Sequence, residues 1–280
     1  MRLSSLGHNV IGYDIRKDAA DELANNPTLR FTAAAEASDL SRNVDSVFVS
    51  LPTSNDVNTA IFGQDGLAKA GTLPTAVIDL TSGDPFVSQK LHAALAERGT
   101  AYIDAGVSGG VLAAARGTLS MMVGATPEDF ERLKPVLQMC SDKIYYIGSP
   151  GTGHAAKAIN NLLAAAHRLV FCEAMVLGAK MNLPLVNVVD VVSKSTGRDY
   201  TSETFFDKVL SGRKQLGFTL GLMLKDVDTA LGMAAQVDVS MPASRMVGEI
   251  YRLIVHQLGT NADLSEVLNF MEQLSDVRVE

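Results

Sequence analysis

The sequence lacks most features that mark secreted, membrane-spanning or nucleic-acid-binding chains. Its 280 residues include two cysteines, too few for a disulfide framework or a cysteine-rich zinc site. It has no uninterrupted apolar run of roughly 18 residues, so no membrane span is expected. The net charge of −7 offers no cationic field for nucleic acid or anionic lipid. We therefore expect a cytoplasmic protein that binds neither membrane nor nucleic acid.

The first part of the chain alternates short apolar runs with helix-like stretches, within an ordinary globular composition of 47% hydrophobic and 20% charged residues. Such alternation predicts crossover connections and a mainly parallel sheet, with strands buried on both faces. The predicted strands are 9–14, 44–51, 75–80, 101–104, 119–123 and 143–147, and predicted helices between them include 87–97 and 127–139.

The second part of the chain is helical, and it begins with a long Ala-rich and Leu-rich stretch. The predicted helices are 154–180, 185–194, 201–210, 219–236, 242–258 and 264–273. We therefore predict an α/β domain over 1–150 and an all-α domain over 151–280, joined by the long helix.

Asp14 ends the first predicted strand, where a dinucleotide-binding fold places the acid that binds the adenosine ribose. That acid follows a Gly-rich phosphate loop by about 20 residues. Here only 13 residues precede Asp14, and they contain no G-x-G-x-x-G. Either the first strand and phosphate loop lie upstream of Met1, or Asp14 is a surface residue at a turn.

A second glycine motif, Gly151 to Ala156, reads G-x-G-x-x-A and opens a helix. Glu173 lies at about the spacing of the ribose-binding acid. A phosphate loop requires a second strand that ends at that acid, however, and here the predicted helix continues through Glu173. The motif is therefore not interpreted as a phosphate loop.

The same segment contains the strongest candidate for chemistry. Lys157 and Asn161 are four residues apart and share a helix face in an apolar, buried segment. A buried lysine is unfavourable unless it is paired or functional, and such a lysine can exchange a proton with an alcohol or a carbonyl. An exposed lysine near a helix start is the alternative, which the adjacent glycines and Asn161 make less attractive.

Two further clusters follow the predicted strands and helices. The segment from Asp104 to Gly110 follows the fourth strand, and its backbone N–H groups with Ser108 suit a carboxylate, although a flexible connector is the alternative. Lys225 follows an apolar run on a helix and is within reach of a ligand, or it forms a solvated pair with Asp226. The strand ends at 51–53 and 81–82 carry hydroxyl side chains that suit contacts to a nucleotide. Ordinary turns, in which such side chains are also common, are the alternative.

The five histidines show no metal-ligand spacing with one another or with a cysteine, so no metal is expected. Neither Cys140 nor Cys172 has a partner histidine motif, and neither is assigned a nucleophilic role.

Together these motifs resemble the β-hydroxyacid dehydrogenase family, typified by 3-hydroxyisobutyrate dehydrogenase and tartronate semialdehyde reductase. The family's D-x-P-V-S-G-G corresponds to Asp104 to Gly110, with Gly106 where proline is usual. Its G-x-G-x-x-x-K-x-x-N-N is intact from Gly151 to Asn161, and its late K-D is Lys225-Asp226. The resemblance extends from Leu3 to about Glu272.

The resemblance implies a Rossmann-like domain, an α-helical domain that forms a homodimer or homotetramer, and NAD(P)-dependent oxidation of a small 3-hydroxy acid in an interdomain cleft. Lys157 would be the general acid/base, and Ser108, Gly109, Gly110 and Asn161 would bind the substrate. The implied cofactor contacts are Asp14, Leu51, Pro52, Ser82 and Lys225. An acid at position 14 favours NAD over NADP, and the nearby Arg16 weakens that preference.

The family pattern begins with a strand and G-x-G-x-x-G, and this sequence begins at the internal methionine of the following helix. We expect a misassigned start or a truncation. Open alternatives are a sugar-acid or hydroxysulfonate dehydrogenase and a catalytically silent binding protein. Lys157 disfavours an imine reductase, since those enzymes usually lack this lysine. The chain is too short for 6-phosphogluconate oxidation, and the acidic charge disfavours a chromatin-associated relative.

Overall fold

A computed structural model describes residues 1–205 and 216–279. The chain divides into two compact units, Met1–Lys157 and Ala158–Glu280.

The first unit is an α/β fold. Its helices are α1 Arg2–Ser5, α2 Lys17–Ala24, α3 Ser38–Asn43, α4 Ser54–Phe62, α5 Pro85–Ala96, α6 Gly110–Arg116 and α7 Pro127–Gln138, and α8 Thr152–Lys180 begins there. A 3₁₀ turn covers Leu67–Ala70. Its strands are β1 Val10–Gly12, β2 Phe31–Ala33, β3 Ser46–Val49, β4 Ala76–Asp79, β5 Ala101–Ser108, β6 Ser120–Gly124 and β7 Lys143–Gly148.

The strands form two sheets. β1 and β2 make a parallel pair, and β3 to β7 make a five-stranded sheet in sequence order. The β5–β6 pair is antiparallel, and the other neighbours are parallel. The sheet is therefore mainly parallel, as predicted from the strand–helix alternation.

Both faces of the larger sheet are buried at β4 and at β5 up to Gly106, and side chains alternate between the two faces along each strand. On one face Ile78 and Ile103 pack in a cluster with Phe130 of α7. On the other face Val77 and Tyr102 pack with residues of α4 and α5. Each fully buried large aliphatic side chain contributes about 1.5–3 kcal/mol to folding.

The second unit is helical among its described residues. It contains most of α8 together with α9 Leu185–Ser193, α10 Tyr200–Phe205, α11 Leu220–Gln236, α12 Pro242–Leu258 and α13 Glu266–Ser275. Its core is one cluster in which Leu169 and Met175 of α8 pack with residues such as Val227 and Tyr251. The helix predicted over 201–210 is present as α10, and positions 206–210 lie outside the described residues.

Helix α8 is long and apolar enough to cross a membrane by length and composition alone, with a mean hydropathy of 1.6 over its most apolar window. Half of that window is buried inside the fold. Burial of this kind is typical of a core helix, and α8 supplies side chains such as Leu169 to the core of the second unit.

Two strand predictions need correction. The fourth strand does not end at Asp104 but continues to Ser108, because antiparallel pairing with β6 extends from Asp104 opposite Gly124 to Ser108 opposite Ser120. The last strand is not buried on both faces, since β7 is the edge of the sheet and Tyr145 is 54% exposed. The short β2 was absent from the predicted strands.

Candidate active site

Asp104 lies inside β5 and its side chain is fully buried. One carboxylate oxygen accepts the backbone N–H of Gly151 at 2.7 Å, and the other accepts that of His154 at 2.8 Å. These groups belong to the start of α8, where backbone N–H groups lack partners within the helix. Asp104 therefore caps α8 from within the sheet, a role that the sequence did not indicate.

The glycines around Asp104 allow α8 to approach the strands closely. A Cβ at Gly124 would lie 2.6 Å from Asp104 Oδ1. A Cβ at Gly153 would collide with the carbonyl oxygens of Asp104 and Met122. Of the two glycines in the rejected phosphate-loop motif, Gly153 thus serves helix–sheet packing, whereas Gly151 allows close approach to α5, since a Cβ there would lie 2.7 Å from the Pro85 carbonyl oxygen. An internal carboxylate occupies the helix N-terminus.

Lys157 lies on the second turn of α8 and is 8% exposed, so the predicted burial of this lysine is confirmed. Its side chain packs directly on β5, where a Cβ at Gly106 would lie 2.6 Å from Lys157 Cβ and 2.9 Å from its Cγ. A proline at position 106, the residue usual in the resembling family, would occupy this space.

Ser108, Gly109 and Gly110 lie at the end of β5 and the start of α6. Gly109 and Gly110 have φ of +133° and +72°, a region that favours glycine. Both glycines are exposed, and no atom lies within 4 Å of the position that a Cβ on Gly110 would take. Because Gly106 and Ser108 are two residues apart, they share a face of β5.

The loops that follow β3 and β4 are tied together. The Leu51 N–H donates to Thr81 Oγ1 at 3.1 Å, and the Thr81 N–H donates to Asp79 Oδ1 at 2.9 Å. Thr81 is buried, so its hydroxyl joins the loops instead of facing a ligand. Pro52 and Ser82, which lie beside these groups, remain at the carboxyl ends of the two strands.

Asp14 follows β1, and its side chain is 43% exposed. Its Oδ1 accepts the backbone N–H of Arg16 at 2.8 Å and lies 3.8 Å from Arg16 Nε. Its Oδ2 makes no hydrogen bond within the part of the chain that the structure describes.

In the second unit, Asp226 joins two of the predicted site residues. Its Oδ2 accepts a hydrogen bond of 2.5 Å from Asn161 Nδ2, and its Oδ1 lies 2.8 Å from Lys225 Nζ. Asp226 is 2% exposed, so the Lys225–Asp226 pair is not the solvated pair that the sequence allowed. The buried carboxylate orients both the Asn161 amide and the Lys225 ammonium.

A buried serine–histidine pair resembles part of a hydrolase site but has no access to solvent. Ser88 Oγ lies 2.8 Å from His154 Nδ1, and both residues are fully buried. His154 Nε2 lies 3.3 Å from the carbonyl oxygen of Asp79, which only accepts, so Nε2 carries a proton. The pair is structural.

The described residues offer neither a metal centre nor an activated thiol. Within 1–205 and 216–279, no group of three or more His, Cys, Asp or Glu side chains could hold a metal ion. Burial raises the pKa of the Cys140 thiol, and burial raises that of Cys172 to about 12, so both favour the unreactive protonated form.

Comparison with known proteins decides the family. Residues 1–148 match the family described as the NAD binding domain of 6-phosphogluconate dehydrogenase. Residues 151–271 match the family described as NAD-binding of NADP-dependent 3-hydroxyisobutyrate dehydrogenase. The chain is 35% identical to 2-(hydroxymethyl)glutarate dehydrogenase of Eubacterium barkeri over 84% of this chain and 78% of that protein. The chain belongs to the β-hydroxyacid dehydrogenase family.

Other members of this family confirm the match over almost the whole chain. Mitochondrial 3-hydroxyisobutyrate dehydrogenase of Bos taurus is 31% identical over 95% of this chain and 81% of that protein. A solved structure of 3-hydroxyisobutyrate dehydrogenase from Salmonella typhimurium superposes with a TM-score of 0.83 at 26% identity, and covers 96% of this chain and 93% of that one. This β-hydroxyacid dehydrogenase is an NAD(P)-dependent oxidoreductase of hydroxy acids.

The residues of this family member fit part of a nicotinamide dinucleotide. Asp14 lies just after the end of β1, and α/β sheets bind ligands at such strand ends. Its Oδ2, which has no partner among the described residues, can accept a hydrogen bond from a ribose diol. The tied loops at Leu51 and Ser82 lie at the carboxyl ends of β3 and β4, which are also strand ends of this kind. The sequence contains no G-x-G-x-x-G for the pyrophosphate.

Sequence reasoning missed three contributors to the site. It did not assign the capping role of Asp104, the anchoring of His154 by Ser88, or the bridging role of Asp226. The two glycines at Gly151 and Gly153 were a signal for close helix packing. No local signal marks the other partners, because they are distant in sequence.

Proposed function

We propose that this β-hydroxyacid dehydrogenase transfers hydride reversibly between NAD(P) and a small 3-hydroxy acid, similar to 3-hydroxyisobutyrate, or the matching semialdehyde. The observation that carries the proposal is Lys157, held almost fully buried against Gly106. Ser108, on the same strand face as Gly106, leads into the two exposed glycines. Strand β5 thereby supports both the Lys157 amine and the loop that we propose binds the carboxylate.

Lys157 acts as the general acid/base. In oxidation its neutral amine takes the proton of the substrate hydroxyl, and in reduction its ammonium returns a proton to the carbonyl oxygen. Ser108 Oγ and the backbone N–H groups of Gly109 and Gly110 bind the carboxylate. The Asn161 amide, oriented by Asp226, holds the reacting substrate.

The nicotinamide cofactor, when bound, accepts or donates the hydride. Asp14 binds the adenosine ribose, and Leu51, Pro52, Ser82 and Lys225 contact the rest of the cofactor. The Asp14 carboxylate would repel a 2′-phosphate, which favours NAD, while the adjacent Arg16 keeps NADP possible.

The protein is proposed to be a cytoplasmic homodimer or homotetramer. Helix α8 exposes Leu163, Val170 and Leu177 at spacings of seven residues, each between 51% and 61% exposed. An apolar stripe of that spacing is typical of a helix that packs against another helix. We propose that it does not insert into a membrane.

Fluorescence titration with NADH and NADPH tests the proposal, followed by absorbance at about 340 nm with a panel of acids. The panel contains 3-hydroxyisobutyrate, 2-(hydroxymethyl)glutarate, a hydroxysulfonate and a sugar acid. We expect NADH binding and turnover of one of the first two. Turnover of only the hydroxysulfonate or the sugar acid would change the substrate class. A folded protein that binds neither cofactor would be a silent binding protein.

A further inference from the structure

Helix α8 begins on a buried carboxylate that comes from a different part of the chain. Both oxygens of Asp104 accept backbone N–H groups of the first turn, from Gly151 and His154. Each carboxylate oxygen accepts one of the two N–H groups, which is the pattern expected of an ionised Asp104. A negative charge at a helix N-terminus is favourable, and here the charge is part of the fold.

The same strand face that holds the helix start also receives Lys157. Asp104 and Gly106 are two residues apart in β5, so both face the same side. Asp104 binds the backbone at Gly151 and His154, and Gly106 accommodates the Lys157 side chain three residues beyond His154. Two contacts on one strand thus fix both the axial position and the rotation of the first turns of α8.

A third contact prevents the first turn from rotating. The His154 ring lies between Ser88 Oγ and the Asp79 carbonyl, both fully buried. Gly83 makes space for the ring, since a Cβ there would lie 2.6 Å from His154 Nδ1. The start of α8 is therefore anchored to β4, β5 and α5 within the first unit.

Burial raises the pKa of the Asp104 carboxyl, and the charge of His154 and the N–H donors of Gly151 and His154 oppose that rise. A buried carboxylate is costly compared with a serine or threonine cap. This cost has a physical reason where the first turns of α8 must be held rigidly in one position.

We propose that Asp104 is a positioning residue for Lys157: it fixes the first turn of α8 so that the lysine amine meets the substrate oxygen. This inference rests on the proposed function of Lys157. Asp104 itself touches neither substrate nor cofactor.

The test compares Asp104→Asn with Asp84→Asn. Asp84 caps α5 through bonds from Phe86 N and Val87 N at 2.8 and 3.4 Å, so the control makes the same chemical change at another helix start of the first unit. We expect Asp104→Asn to lower kcat at least tenfold and to leave the Kd of NADH within about twofold. The primary deuterium isotope effect on kcat should rise as hydride transfer becomes rate-limiting. Asp84→Asn should change none of these values.

A second readout does not require turnover. Reductive methylation of the cofactor-free protein, followed by mass spectrometry, should show Lys157 modified at least three times faster in Asp104→Asn than in the wild type. Lys134, whose side chain is 44% exposed, is the internal reference. Gly124→Ala is the second variant, because its methyl group would press on both Asp104 oxygens at 2.6 and 2.7 Å. It should reproduce both effects.

The outcomes separate the inference from the proposed function. Faster methylation without activity in any form would support positioning by Asp104 and overturn the proposed function. Normal kcat and normal methylation in folded Asp104→Asn, with Lys157→Ala inactive, would overturn the inference alone. Loss of folding in both Asp104→Asn and Gly124→Ala would also overturn it, since the carboxylate would then serve the fold as a whole.

Discussion

Lys157 occupies the space that a side chain at Gly106 would need: a Cβ on Gly106 would lie 2.6 Å from Lys157 Cβ. Such a distance is well inside ordinary carbon–carbon contact of about 3.5–4.0 Å, so an added methyl group must displace the lysine or the helix that carries it. The glycine is therefore part of the placement of the proposed acid/base.

Gly106→Ala should lower kcat by about tenfold or more, because small displacements of an acid/base group are costly. Gly232→Ala is the matched control, since no atom lies within 4 Å of its Cβ position on α11. That control should keep full activity and gain about 0.5–1 kcal/mol of stability, because alanine favours helix. Steady-state kinetics and thermal unfolding of the two variants check the prediction. Full activity in Gly106→Ala would contradict it.

Asp226→Asn should reduce kcat/KM for the hydroxy acid about tenfold. The change replaces the carboxylate that accepts from Asn161 at 2.5 Å and pairs with Lys225, and charged hydrogen bonds contribute about 1.5–3 kcal/mol. Asp228→Asn, which removes an exposed pair with Arg252, is the control and should have little effect. Equal kinetics in the two variants would show that Asn161 needs no such orientation.

Asp14→Ala should weaken NADH binding and narrow the difference in Kd between NADH and NADPH. The substitution removes the acceptor for the ribose diol and the charge that repels a 2′-phosphate. Asp18→Ala, an exposed acid on α2, should leave both constants unchanged. Fluorescence titration measures all four values, and an unchanged ratio of the two constants in Asp14→Ala would remove Asp14 from the cofactor site.

Cys172 should resist thiol reagents in the native protein. Burial raises its pKa to about 12, so at pH 8 the reactive thiolate is scarce as well as inaccessible. Disulfide exchange with an aromatic disulfide should therefore be slow at pH 8 and become fast in denaturant. Rapid labelling of Cys172 without denaturant would show that the core of the second unit opens readily.

Much of the fold could be predicted because its signals are local. Helix α11 follows the Thr219 cap, and α12 begins with Pro242, so periodicity and end signals agree. The three-residue strand β2 carries too short a pattern to recognise. The extension of β5 to Ser108 depends on its antiparallel partner β6, which no window on β5 alone reveals.

The site was predictable where one helix carries it and not where distant segments meet. Lys157 and Asn161 share a short motif, so their spacing points to chemistry. Asp104 binds groups 47 and 50 residues further along the chain, and Asp226 binds Asn161 from 65 residues away. Such pairings depend on packing, so single-sequence reasoning assigned Asp104 no capping role and left a solvated Lys225–Asp226 pair open.

The most direct measurement is single-turnover reduction of NAD by the wild-type protein, Lys157→Ala and Lys134→Ala with the best hydroxy acid substrate. Lys134 of α7 is half-exposed, with its Nζ 4.0 Å from Glu131 Oε2, and it lies outside the proposed site, so its loss should leave the hydride-transfer rate unchanged. We predict a hydride-transfer rate lower by about two or more orders of magnitude in Lys157→Ala, with cofactor binding unchanged. An undiminished rate in Lys157→Ala would contradict the role of Lys157 as the general acid/base.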